Sequence, residues 1–232
     1  MDRAFQKKLE ELAYGRSLYD VWDDFITLSA VTIANAVCFR QEREDIGQRI
    51  IKKYGKQGMK GMIELFAATV DALEKNPRQD YLGTMYMEFG FGNQYLGQIF
   101  TPYHIAEFMA KFSLPDEDSR PYTTVYDPCC GSGVMLIAAF HRMIELKKNP
   151  QTQLLCAGQD LSFVAAMMCY IQISLLGIAG YVVVGNSLTE PLKGPSLVAP
   201  EAAWCTPLYF HKTWAMRRVS EYLKEFQFEG GT

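Results

Sequence analysis

The ten residues Asp127-Pro128-Cys129-Cys130-Gly131-Ser132-Gly133-Val134-Met135-Leu136 constrain this chain more than any other stretch. They follow a β-prone run, Thr123-Thr124-Val125-Tyr126, and lead into an apolar-periodic stretch over residues 136–148. The order strand, glycine turn, helix predicts a backbone that comes close to a nucleotide-like ligand. The two glycines permit positive φ and carry no Cβ to block the approach. Asp127, at the strand end, can meet a cationic group. A purely structural turn is the alternative, because glycine turns also end strands that bind nothing.

Three further words bear on that choice. Leu154-Leu155-Cys156-Ala157-Gly158-Gln159-Asp160 reads as a second strand ending in an acid. A carboxylate at that tip suits a ribose diol; its alternative is a helix N-cap. Tyr181-Val182-Val183-Val184 reads as a third strand, followed by Gly185-Asn186-Ser187-Leu188. Upstream, Gly97-Gln98-Ile99-Phe100-Thr101-Pro102 places Thr101 at a helix N-cap and Pro102 at the first helical position.

In this order the words resemble the N-6 adenine-specific DNA methyltransferases, in particular the modification subunits of type I restriction systems. The segment Asp80-Tyr81-Leu82-Gly83-Thr84-Met85-Tyr86 is similar to a further word of that family, and the resemblance covers roughly residues 80–190. It implies an α/β fold: a Rossmann-like S-adenosylmethionine-dependent methyltransferase domain behind an N-terminal helical bundle. It implies that Asp127, Gly131 and Gly133 hold the methionine part of S-adenosylmethionine, with Pro128 and Cys129 beside them. Asp160 would hold the ribose next to Leu161. Asn186 and Ser187 would face the adenine, and Phe100, Thr101 and Pro102 would close the site. The product would be S-adenosylhomocysteine.

The resemblance breaks at the catalytic word. The family carries Asp/Asn-Pro-Pro-Tyr/Phe at the end of its fourth strand, where an amide or carboxylate and a proline carbonyl accept from the adenine amine and the ring stacks on the flipped base. This chain has no Pro-Pro pair. By position the candidate is Thr206-Pro207-Leu208-Tyr209, after the β-prone Ala203-Trp204-Cys205. Thr206 would accept, more weakly than a carboxylate, and Tyr209 would stack. The other reading has this word open the last helix, with Thr206 as N-cap and Pro207 at N1. Asn186 also departs from the Asp usual in the family. Two functions therefore stay open: a restriction-modification adenine methyltransferase, or an inactive cofactor-binding accessory subunit.

The remaining composition sets limits. Of the 232 residues 49% are hydrophobic and 21% charged, as in ordinary globular domains. No uncharged apolar run reaches about 18 residues, so no membrane span is expected, and the charged start of the chain does not read as a signal peptide. Six cysteines without Cys-x-x-Cys spacing read as reduced, buried thiols in a cytoplasmic protein. His104, His141 and His211 lack companions at metal spacing, so no metal is expected. The net charge of −3 speaks against tight autonomous DNA binding, so DNA would be reached through a specificity or accessory subunit, in a homo- or hetero-oligomer. The lysines of residues 52–60 read as a solvated loop.

Along the chain, residues 1–92 read as a helical domain and 93–232 as the cofactor-binding domain, joined at the glycine-aromatic link of residues 89–93. Helices are expected over 19–39, 46–54 and 62–73, the last two split at 55–61 and closed at Asn76-Pro77. Helices are also expected over 101–112, 162–176 and 211–226. Residues 115–121 and 189–200 read as loops. About four strands fit.

Overall fold

The computed structural model describes residues 2–92, 99–115, 120–192 and 196–229, apart from the side chains of 224–229. Gly97 and Gln98 of the upstream word, most of the charged loop after Pro115 and the last three residues lie outside the described residues.

The fold is α/β. Four strands, β1 (Thr123–Asp127), β2 (Leu154–Asp160), β3 (Gly180–Val184) and β4 (Trp204–Cys205), lie side by side in that order. The first three are parallel, with Asp127 opposite Gly158 and Asp160 opposite Val184. Their carboxyl ends therefore open on one side of the sheet. β2 is buried from Leu154 to Gln159, the pattern of a parallel strand covered on both faces.

Nine helices are described: α1 (Arg3–Leu12), α2 (Leu18–Val37), α3 (Gln41–Lys75), α4 (Tyr81–Glu88), α5 (Tyr103–Ser113), α6 (Val134–Glu145), α7 (Pro150–Gln153), α8 (Phe163–Leu175) and α9 (Lys212–Glu229). Alternate residues of β2 feed two cores. Leu154 and Cys156 join Met167, Tyr170 and the N-terminal Phe5, Trp22 and Phe25. Leu155 and Ala157 join Tyr181, Tyr209 and Trp214 on the other face. The N-terminal helices thus share a core with the sheet through α8, whose apolar run, capped by Ser162 on Ala165 N at 3.3 Å, is buried on nearly every side. No described helix is long and apolar enough to cross a membrane.

Three features refine the expected picture. Within residues 41–75 the expected split into two helices occurs at Gly55 (φ 59°), but as a one-residue kink: the second helix starts directly after it, with no loop through residue 61. Only Gly55 leaves the helix; Gly61 allows close packing, since a Cβ there would stand 2.8 Å from Leu12 Cδ2. Helix α5 begins at Tyr103, with Pro102 at its cap and no side-chain cap bond, so Thr101 does not cap it. Strand β4 runs antiparallel to β3, Trp204 opposite Val182 and Cys205 opposite Tyr181, which puts it at the far edge from β1.

Candidate functional site

The glycine loop turns from β1 into α6 with Gly131 at φ 52° and Gly133 at φ 98°. Such angles suit glycine. The space is tight as well. A Cβ on Gly133 would stand 2.8 Å from Cys169 Sγ of α8, and one on Gly131 would stand 3.2 Å from the Phe100 ring. Asp160, from the next strand, holds this loop: its Oδ2 accepts from Gly131 N at 2.8 Å and its Oδ1 from Ser162 N at 2.9 Å. Asp160 therefore joins the loop to the start of α8 and is not itself the α8 cap. Asp127 Oδ1 accepts from Cys129 N at 3.1 Å. Burial, with Asp160 nearby, pushes the Asp127 carboxyl above its usual range. Among the described residues neither carboxylate forms an ion pair with a side chain.

A cleft of about 720 Å³ opens at these strand tips. Pro128, Cys129, Asp160, Leu161, Asn186 and Ser187, all expected from the sequence, line it. Asn186 Oδ1 accepts from Leu188 N at 2.9 Å, which turns the chain after β3. Phe100 lies behind the loop, 5.6 Å from the Tyr86 ring. Asp127 faces a neighbouring groove between β1, α5 and α6. Thr101 and Pro102 are not part of the cleft lining.

The structure does not bring Thr206, Pro207 and Tyr209 to this cleft, which corrects their expected catalytic placement. Thr206 is paired with Gly180, at the amino end of β3, so it sits at the opposite end of the sheet from Asp160. It is fully buried; its hydroxyl donates to Ile178 O at 2.8 Å and accepts from Gly180 N at 3.1 Å. Pro207–Phe210 form a short 3-10 turn that precedes α9. The Tyr209 hydroxyl donates to Leu197 O and accepts from Ala199 N, each at 2.9 Å. Tyr209→Phe should therefore lower stability by about 1 kcal/mol, the net worth of such bonds, and leave affinity for any ligand at the strand tips unchanged. Urea unfolding and ligand titration of the same variant measure both; a fall in affinity without a stability change would return Tyr209 to the site.

Residues outside the expected set complete the arrangement. Asp80 is 5% exposed and accepts from Gly83 N at 2.9 Å, from Gln172 Nε2 at 2.8 Å and from Ser132 Oγ. Gln172 Nε2 also lies 2.8 Å from Ser132 O, and its Oε1 accepts from Leu82 N at 3.1 Å. The glycine loop is thereby pinned from beneath to α4 and α8. A Cβ on Gly83 would overlap Asp80 and Ser132, so only glycine fits. An amide inside the apolar run of α8 was the available signal for Gln172. Tyr19, Tyr86 and Phe91 also line the cleft. Among the described residues no cluster of His, Cys, Asp and Glu could hold a metal. His141 is buried, with Nε2 2.8 Å from Pro77 O, and burial lowers its pKa.

Comparison with known families decides the identity. The family model for N-6 DNA methylase matches residues 78–229, about two thirds of the chain. The chain belongs to the N-6 DNA methylase family. A curated relative, the type II restriction enzyme and methyltransferase RM.BcgI of Heyndrickxia coagulans, is 35% identical over 89 residues, 37% of this chain and 13% of the relative. A type I restriction-modification methyltransferase subunit from Streptococcus thermophilus, known from its crystal structure, is 20% identical over 72% of this chain and 40% of its own, with a TM-score of 0.36. The chain thus spans much less than the length of either.

Proposed function

We propose that this N-6 DNA methylase binds S-adenosylmethionine at the tips of β1, β2 and β3 in a Rossmann-like site, and serves methyl transfer to adenine in DNA. The observation that carries this reading is the cleft at the strand tips, where Asp160, which also holds the glycine loop at Gly131 N, meets Asn186 and Ser187 beside Pro128 and Cys129. Asp160 lines the cleft without a cationic side chain paired to it among the described residues, which favours a ligand that brings a cation or hydroxyl donors. S-adenosylmethionine supplies an ammonium and a sulfonium. Pro128 and Cys129, at the start of the loop, line the cleft where the methionine part would lie, while Gly131 and Gly133 let the loop pack against Phe100 and Cys169. The lone pairs left on Asp160 suit a ribose diol, and Asn186 and Ser187 can give and take hydrogen bonds at the edge of an adenine. When bound, the sulfonium supplies the methyl group. The protein's part is to hold donor and acceptor in line, while the acceptor amine loses a proton as its nitrogen gains the methyl carbon.

A second reading, a cofactor-binding accessory chain without turnover, is favoured by the placement of Thr206-Pro207-Leu208-Tyr209 away from the cleft. In either case we place the protein in the cytoplasm, in keeping with six free thiols. DNA would be reached with the help of a partner subunit, in keeping with the net charge of −3.

Titration calorimetry with S-adenosylhomocysteine should give a one-site isotherm. Asp160→Asn should weaken it by roughly 1–3 kcal/mol, the range for a hydrogen bond to a charged group. Absence of heat and of any thermal shift at saturating ligand would reject the cofactor reading. Tritiated methyl incorporation into mixed DNA, with and without lysate from the source organism, separates an active enzyme from an accessory chain.

A further inference from the structure

One wall of the cleft comes from the N-terminal helices. Tyr19, in the first turn of α2, and Phe91, after α4, line it together with Asp160, Asn186 and Ser187. The Tyr19 and Phe91 rings meet edge to face at 5.5 Å, and Phe91 meets Tyr86 at 5.6 Å. This cluster is anchored from behind. Trp22, fully buried, stands 5.8 Å from Phe91 and 6.1 Å from Tyr86. Tyr86 is itself buried, and burial together with neighbouring Tyr19 pushes its phenol up to about 12. Tyr19 remains 41% exposed, while Leu161 and Leu188 present exposed apolar side chains to the same cleft.

The cleft therefore combines aromatic and aliphatic surfaces with a carboxylate, an amide and a hydroxyl. A nucleoside matches each: a diol for Asp160, ring-edge nitrogens for Asn186 and Ser187, and a flat π-face for an aromatic wall. We infer that Tyr19 and Phe91 belong to the ligand site, with the Tyr19 ring stacked on the purine of a bound nucleoside and the perpendicular Phe91 ring supporting it edge-on, so that the helical bundle forms the wall at the nucleoside end of the cleft. This rests on the cofactor reading above and assigns it residues outside the glycine-loop and strand-tip words.

The test is titration of S-adenosylhomocysteine, adenosine and methionine into the wild type, Tyr19→Ala and Tyr19→Phe, with a melting curve for each protein. Removal of the ring should weaken S-adenosylhomocysteine and adenosine roughly tenfold, the scale of aromatic–base stacking. Tyr19→Phe should restore both and methionine should bind all three proteins alike, while Tyr19→Ala should melt only slightly lower, from its lost contacts to Phe91 and Tyr86, and remain folded at the titration temperature. Unchanged S-adenosylhomocysteine affinity in Tyr19→Ala overturns the inference. So does a loss confined to methionine, which would put the ring at the other end of the ligand. A wild type that binds none of the three ligands overturns the cofactor reading, and the inference with it.

Discussion

Asp80→Ala is expected to lower the unfolding free energy by roughly 3 kcal/mol. The carboxylate accepts three hydrogen bonds in a buried position, from Ser132 Oγ, Gln172 Nε2 and Gly83 N. Alanine leaves the first two donors short of an acceptor, each a penalty of about 1–3 kcal/mol, and removes the N-cap of α4, worth about 1 kcal/mol. Some of this is recovered, because the Ser132 hydroxyl can turn and Gln172 keeps Ser132 O. Asp80→Asn retains one acceptor oxygen and should cost less. The two also differ in pH dependence. Burial raises the Asp80 carboxyl above its ordinary 3.8. The native state then holds the proton more tightly than the unfolded chain, so this group's contribution is full below the unfolded value and declines as pH rises to the native one. The stability advantage of wild type over Asp80→Asn should thus shrink as pH rises above the unfolded value. Urea titrations at a series of pH values test this, and an advantage that grows with pH would mean that the three hydrogen bonds outweigh burial and hold the carboxyl ionised.

The parts of the fold that could be read from the sequence are those written locally. Residues 154–160 alternate onto two cores and form β2 with the bounds their pattern implies. The glycine loop sits between β1 and α6 because each glycine serves a local angle. What stayed hidden depends on partners far along the chain. Thr206 resembles a catalytic or capping residue in its own neighbourhood, yet its hydroxyl is taken up by Ile178 and Gly180. A two-residue strand leaves no periodicity from which to read its direction, so the antiparallel pairing of β4 was out of reach. Tyr19 lies far from Asp160 in sequence, and only the packing of α2 against α8 brings their ends to one cleft. Gly55 to Gly61 looked like a break because several glycines cluster there, but only one of them leaves the helix.

Gly180→Ala is expected to be the most damaging of the conservative changes, at roughly 3 kcal/mol or more, the upper end of overpacking effects. The sequence reading starts the third strand one residue later, at Tyr181. In the fold Gly180 is the first residue of β3, opposite Cys156 of β2. A Cβ there would overlap the Cys156 carbonyl oxygen and stand 3.0 Å from its carbonyl carbon and 3.2 Å from its Cα. These are backbone atoms of a central strand, so no rotamer change relieves the clash, and β3 must move. Movement has further consequences, because Gly180 N donates to Thr206 Oγ1 at 3.1 Å and Gly180 O accepts from Thr206 N at 2.9 Å. Displacing β3 therefore also strips β4 of its anchor, and it shifts Asn186 and Ser187 at the other end of the same strand. Gly185→Ala is the internal control. Its nearest neighbour would be Gln159 Nε2 at 3.5 Å, an ordinary contact, so its stability should stay within about 0.5 kcal/mol of wild type. Unfolding curves of the two variants, with S-adenosylhomocysteine titration of each, should show Gly180→Ala failing in both measurements and Gly185→Ala keeping its fold. Equal stability for the two variants would mean that β3 can slide on β2 without loss, and that Thr206 is not what ties the edge strand to the sheet.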